Sequence, residues 1–193
     1  MKTTSMKRAE QANVEAINFE QSFKPISPEE IGESVFTLVG KDFFVITAGK
    51  ADHYNSMVGS GGGWGMLFRK PTTWCLIRAD RYTLELIEKE QTYTMAYFPD
   101  EHREPMLFLG SKSGRNSDKM NEVELTSIQT LSGEVSFSEA RLIIECKLTQ
   151  ITTPQLNDFY AEEAKAYINE AYKSANDQRR YVFGEITKIW IRR

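Results

Sequence analysis

The spacing of strand-like runs constrains this chain more than any other feature. Residues 35–39, 43–47, 73–78, 91–98, 141–151 and 181–191 are rich in β-branched and aromatic side chains, and the stretch QTYTMAYF at 91–98 alternates as a half-buried strand does. Gly40-Lys41-Asp42 separates the first two runs and predicts a tight hairpin. Helical patterns are few. Ser27-Pro28-Glu29-Glu30 is a capping box with proline at the first helical position, predicting a short helix to about Glu33. Residues 83–89 read as a helix started by Asp80 or Thr83, residues 101–109 as another, and residues 159–173 as an amphipathic helix rich in alanine and glutamate. Many strands without regular βαβ alternation favour an antiparallel β-barrel with peripheral helices, a mainly β (α+β) architecture, over a doubly wound sheet. With 193 residues, 40% of them hydrophobic, the chain can build one sizeable core, so a single domain over residues 26–193 is expected after a polar arm of residues 1–25.

Charge and patterning exclude several classes of partner. A net charge of -3 and a pI near 5.6 provide no overall positive field to draw the protein to nucleic acid or to an anionic membrane, although a local basic pocket remains allowed. No run approaches the roughly 20 apolar residues of a membrane span, and the start MKTTSMKRAEQANVE lacks the apolar centre of a signal peptide. A cytoplasmic location is therefore expected. Cys75 and Cys146 sit inside apolar runs without a CxxC partner and read as reduced, packed thiols. His53 and His102 lie in polar surroundings and read as solvated, and no serine, histidine and aspartate set is recognisable.

Three constellations bear on chemistry. The segment from Asn55 to Leu67 is poor in charge and holds the cluster Gly59-Ser60-Gly61-Gly62-Gly63-Trp64-Gly65. The cluster fits neither a Walker loop nor GxGxxG in any register. It permits either a bent barrel strand or a wall of bare backbone against which a flat ring system lies. Arg78-Ala79-Asp80-Arg81-Tyr82-Thr83 places guanidinium groups and a hydroxyl where a strand gives way to a helix, which suits a phosphate or, equally, an ordinary cap with surface arginines. The loop Gly110-Ser111-Lys112-Ser113-Gly114-Arg115-Asn116-Ser117-Asp118-Lys119 reads as a second anion clamp or as a solvated turn. Trp64, Phe68, Trp74 and Tyr82 are suited to stacking on a ring or to packing in a core.

Taken in order and at their separations, NSMVGSGGGWGMLFRKP, RADRYT, GSKSGRNSDKM, LIIECK and YVFGEI resemble the flavin reductase-like family of FMN-binding split barrels, flavoredoxin-like members included, over about Phe43 to Ile186. The resemblance implies a six-stranded antiparallel split barrel that forms a homodimer, with FMN held non-covalently at the subunit interface. By position, Asn55, Ser56, Met57, Val58, Ser60 and Trp64 match the segment along the flavin ring and ribityl chain. Arg78, Arg81, Tyr82 and Thr83 match the phosphate-side turn, and Lys112, Ser113, Arg115 and Lys119 match the loop that closes over the cofactor. Three positions depart from the family pattern. Val58 stands where a threonine is usual, Gly61 replaces a bulkier residue over the ring, and Arg179 takes the place of a histidine before the strand at 181–186, altering the substrate face.

The resemblance implies an oxidoreductase whose chemistry belongs to the cofactor, with no catalytic side chain and no metal required. NAD(P)H is the expected donor, and a flavin, a metal chelate or a protein the expected acceptor. A flavoredoxin-like electron carrier without its own NAD(P)H activity is the alternative, followed by a non-enzymatic barrel that uses the groove for another ligand. The basic set that a pyridoxamine-phosphate-oxidase-like substrate would need is not found.

Overall fold

The computed structural model describes residues 19–193. In chain order its strands are β1 (Phe23–Ile26), β2 (Phe44–Lys50), β3 (His53–Gly59), β4 (Gly62–Leu67), β5 (Lys70–Arg78), β6 (Thr92–Tyr97), β7 (Ser127–Gln129), β8 (Val135–Phe137), β9 (Leu142–Thr152) and β10 (Arg179–Arg192). Its helices are α1 (Val35–Thr37), α2 (Tyr82–Glu90), α3 (Arg103–Ser111), α4 (Lys119–Glu122) and α5 (Glu162–Ala171).

The hydrogen-bonded order β3-β2-β6-β9-β10-β5-β4 is antiparallel throughout. Only Ser60 and Gly61 separate β3 from β4, so the last strand of that order leads straight back into the first. Counted as one bent strand, β3 and β4 close a six-stranded barrel, as expected from the resemblance. Strand β1 lies along the far end of β10, pairing Phe23 with Arg192 and Ile26 with Ile189, while β7 and β8 form a separate hairpin. The bend between β3 and β4 depends on Gly62. A Cβ there would lie 2.1 Å from the Trp74 carbonyl oxygen on β5, so only bare backbone can cross at that distance.

One core cluster includes Phe44, Ile46, Met57, Cys75, Ile77, Tyr93, Met95, Tyr97, Ile144, Cys146 and Val182 from the barrel strands, with Leu84 and Ile87 of α2. A second cluster joins Val45, Ala96 and Ile143 to Met106 and Leu109 of α3 and to Phe19, Phe23 and Trp190. Each of the fully buried large side chains contributes roughly 1.5–3 kcal/mol relative to exposure, which makes these two clusters the main support of the fold. Both cysteines are buried free thiols as expected, and burial pushes the Cys75 thiol up to about 12.

Several elements differ from the sequence reading. Residues 35–39 are not a strand, and Gly40-Lys41-Asp42 is not a hairpin: α1 is followed by a π-helical turn over Leu38–Asp42. Leu38 and Val39 are buried while Phe36 is exposed, and Val35 packs on the same core. That is a helical spacing, which the β-branched composition concealed. Phe43, at φ 63, then turns the chain into β2. The Ser27 capping box starts only a 3-10 turn, Pro28–Glu30, in which the Ser27 N–H donates to Glu30 Oε2 at 2.7 Å. Helix α2 has Arg81, not Asp80 or Thr83, at its N-cap position. The helix expected over residues 159–173 is confined to α5. Of the expected arm, residues 1–18 lie outside the described residues, whereas Phe19 and Phe23 are buried and β1 is part of the sheet. Among the described residues no helix is long and apolar enough to cross a membrane.

Candidate functional site

The bend between β3 and β4 forms one wall of a cavity of about 310 Å³. Met57, Val58, Gly59, Ser60 and Gly61 contribute that wall, with little side-chain bulk over Gly59 to Gly61. Among the described residues strand β3 is hydrogen-bonded to a neighbour on one side only, so alternate backbone N–H and C=O groups on its other edge are not used by the sheet they form. Leu76 and Arg78 come from β5, Arg81 from the turn that follows, Arg179 from the start of β10 and Tyr167 from α5. The glycine cluster therefore both bends the barrel strand and lines a cavity.

The positive groups of this cavity differ in what they already bind. Arg78 holds Asp80 through Nε at 3.1 Å and Nη2 at 2.5 Å, and Asp177 stands 3.6 Å from the same nitrogen. Arg81 has no ion pair or side-chain hydrogen bond among the described residues. It sits at the N-cap of α2, where no side chain caps the helix. The first backbone N–H groups of a helix and its dipole both favour an anion at that end. Arg179 is likewise without a carboxylate partner among the described residues.

The two turns singled out in the sequence meet within one subunit. Gly114 lies so close to β3 that a Cβ there would fall 2.0 Å from Asn55 Oδ1. Asn55 Nδ2 in turn donates to Thr83 Oγ1 at 2.8 Å, both residues being buried, so this contact braces α2 against β3. Arg115 donates to both carboxylate oxygens of Glu85, by Nη1 at 2.8 Å, and its guanidinium lies 5.3 Å from the Tyr82 ring centre. This pairing holds the Glu85 carboxyl below the usual carboxylate range. The Tyr82 hydroxyl is 2.6 Å from His53 Nε2, so His53 is exposed but not without a partner. Lys112 pairs with Glu122 and lies 5.0 Å from the Phe108 ring centre. Ser113 accepts bonds from the Arg115 N–H at Oγ and from the Ser117 hydroxyl at its carbonyl.

Lys119 is buried, and Nζ donates to the carbonyl oxygens of Leu109 at 2.7 Å and Lys112 at 3.1 Å. It closes the C-terminal end of α3. Burial first, and then the nearby Arg81 charge, lower its pKa to about 8. Of the residues expected to touch a cofactor, Met57, Val58, Ser60, Arg78 and Arg81 thus line the cavity. Asn55, Ser56 and Thr83 are buried in the frame, with Ser56 Oγ 2.8 Å from Thr47 Oγ1. Trp64 packs edge-on against Tyr97, with ring centres 5.8 Å apart, as part of the barrel core.

Leu76 and Tyr167 line the cavity without any sequence signal for it, since each lies in an ordinary strand or helix pattern. Arg179 was visible only as a departure from the family pattern. Of the other departures, Gly61 lines the cavity, and Val58 also packs against the second core cluster.

No protein-family model and no curated protein matches the sequence. Solved structures match the fold. An FMN-binding protein from Thermus thermophilus, 16% identical, superposes with a TM-score of 0.61 over 86% of this chain and 79% of its own. An FMN-binding domain of a flavin reductases-like enzyme from Shewanella baltica, 13% identical, gives 0.62 over 88% and 76%. Flavoredoxin of Desulfovibrio vulgaris, 17% identical, gives 0.58 over 86% and 76%. The closed barrel with its bent β3–β4 strand is therefore the split-barrel fold found in flavin reductase-like proteins.

Proposed function

We propose that the chain binds FMN non-covalently in this cavity and acts as a flavoprotein oxidoreductase, taking electrons from NAD(P)H and passing them to a flavin, a metal chelate or a protein. The observation that carries this reading is the pairing of a side-chain-poor strand bend with an Arg81 that has no ion pair among the described residues and stands at a helix N-terminus without a side-chain cap. The cavity volume of about 310 Å³ falls at the small end of the roughly 300–1,000 Å³ typical of ligand pockets, as suits a site that a second subunit completes. A homodimer is part of this proposal. Exposed Met66 and Phe68 on the β4–β5 hairpin, beside a groove lined by Trp74 and Phe183, supply an apolar face for it.

The donor set suits the group. Arg81 and the first N–H groups of α2 would hold the phosphate, and the β3 edge would offer backbone N–H and C=O groups to the ring and ribityl chain. Bound FMN would supply the hydride and electron chemistry. The chain orients it, excludes water along the Met57 and Leu76 side, and places fixed dipoles where negative charge gathers on reduction. No acid or base from the chain is needed for that chemistry.

The absorbance spectrum of the purified protein tests the reading. It should show the bands of oxidised flavin, or regain them on titration with FMN, and NADH or NADPH should bleach them in a stopped-flow instrument. A colourless protein that takes up no FMN would overturn the flavin assignment. Flavin that binds but resists both nicotinamides would support the electron-carrier alternative.

A further inference from the structure

Arg179 stands directly opposite Arg78 in the β10–β5 register, and both line the cavity. Like charges facing each other across an antiparallel pair destabilise it. Arg78 is compensated by Asp80 and by Asp177, whereas Arg179 has neither a carboxylate nor a side-chain hydrogen bond among the described residues. Such a conflict between local rules and sequence is expected where a ligand resolves it.

Tyr167 of α5 lines the same cavity with 64% of its surface exposed. No residue of α5 is buried, so core packing does not explain the ring's position. Tyr172, just after α5, lies close enough to Arg179 at the start of β10 for the two to interact. An aromatic face and a guanidinium without a carboxylate partner among the described residues thus line the same cavity, on elements other than the turn that carries Arg81.

We propose that Arg179 and Tyr167 form a subsite for an oxyanion carried by the second substrate, the molecule that exchanges electrons with the cofactor. This rests on the FMN reading above. A guanidinium binds a carboxylate or phosphate through a planar fork of donors, and the neighbouring ring supplies stacking area for a flat ligand. Two sources share that chemistry: an aromatic carboxylate acceptor and the 2′-phosphate of NADPH.

The test compares the full-length wild-type protein with Arg179→Gln. Benzoate and its neutral isostere benzamide are titrated by calorimetry, with and without FMN, and the KM values for NADPH and NADH are compared. The wild-type protein should prefer the anion in one arm at least tenfold, since hydrogen bonds to a charged group are worth about 1.5–3 kcal/mol. Arg179→Gln should abolish that preference, while costing FMN affinity less than Arg81→Gln does. A preference in the benzoate arm assigns the subsite to a carboxylate, and one in the nucleotide arm to the donor phosphate. Equal binding of benzoate and benzamide together with equal KM values for NADPH and NADH, or FMN affinity lost as steeply as in Arg81→Gln, would overturn the proposal. Calorimetry on the flavin-free chain keeps the two readings apart. Failure to bind FMN alongside a retained benzoate preference would reject the flavin assignment, and with it the electron-transfer role of the ligand, while leaving the oxyanion subsite itself.

Discussion

Residues 78–83 and 110–119 look alike in the sequence, both rich in cations and small polar groups, yet the fold uses them in opposite ways. The later loop commits its charges internally: Lys112 to Glu122, Arg115 to Glu85, and Lys119 to two carbonyls at the end of α3. The earlier turn commits Arg78 to Asp80 but leaves Arg81 at the cavity without an ion pair among the described residues. A basic residue becomes an anion site only when the fold withholds carboxylates from it, and that withholding is a tertiary property.

Substitutions should separate the two turns. Arg81→Gln should cost FMN binding on the order of 10- to 100-fold, the value of a hydrogen bond to a charged group at about 1.5–3 kcal/mol, read by quenching of flavin fluorescence on titration. Lys119→Met leaves the Leu109 and Lys112 carbonyls without their donor and should cost about 1–3 kcal/mol of folding stability in urea titrations, with a smaller effect on FMN affinity.

The pH dependence of that loss has a definite sign. With a native pKa near 8 against an ordinary 10.5, the unfolded chain holds a proton on Lys119 that the native protein has released across that window. Stability contributed by this residue therefore rises as pH increases from about 8 to 10.5 and is constant below it. The buried Cys75 thiol works in the other direction above its ordinary 9.0, so the quantity to follow is the gap between wild type and Lys119→Met, which should widen with pH. A gap that narrows would contradict the desolvated lysine. The smallest effect is expected for Arg115→Gln. Its pair with Glu85 is largely exposed, worth about 0–1 kcal/mol, and FMN affinity should change less than about threefold.

Most of the barrel was legible from the sequence because its strands carry their own pattern. QTYTMAYF alternates and becomes β6, and the runs at 73–78, 141–151 and 181–191 became β5, β9 and β10 with modest extensions. The segment at 35–39 was misread because valine, phenylalanine and threonine suit strands, while the buried spacing of Val35, Leu38 and Val39 is helical and decides the outcome. The bend at 60–61 was legible as glycine composition, but its closure of the barrel needs the pairings of β3 and β4 with different neighbours. Trp64 illustrates the limit of positional carry-over: its place in the motif matches the cofactor segment, yet the twist of β4 turns it against Tyr97 in the core. Arg179 and Tyr167 reach the cavity from residues about a hundred positions downstream of the glycine bend, a distance over which no local pattern carries information.

The measurement that bears most directly on this account is the affinity of wild type and Arg81→Gln for FMN and for riboflavin, which shares the ring and ribityl chain but has no phosphate. Wild type should bind FMN at least tenfold more tightly than riboflavin, and Arg81→Gln should erase most of that difference while leaving riboflavin affinity nearly unchanged. Equal affinity of the wild-type protein for both molecules, or a phosphate preference that survives in Arg81→Gln, would contradict it.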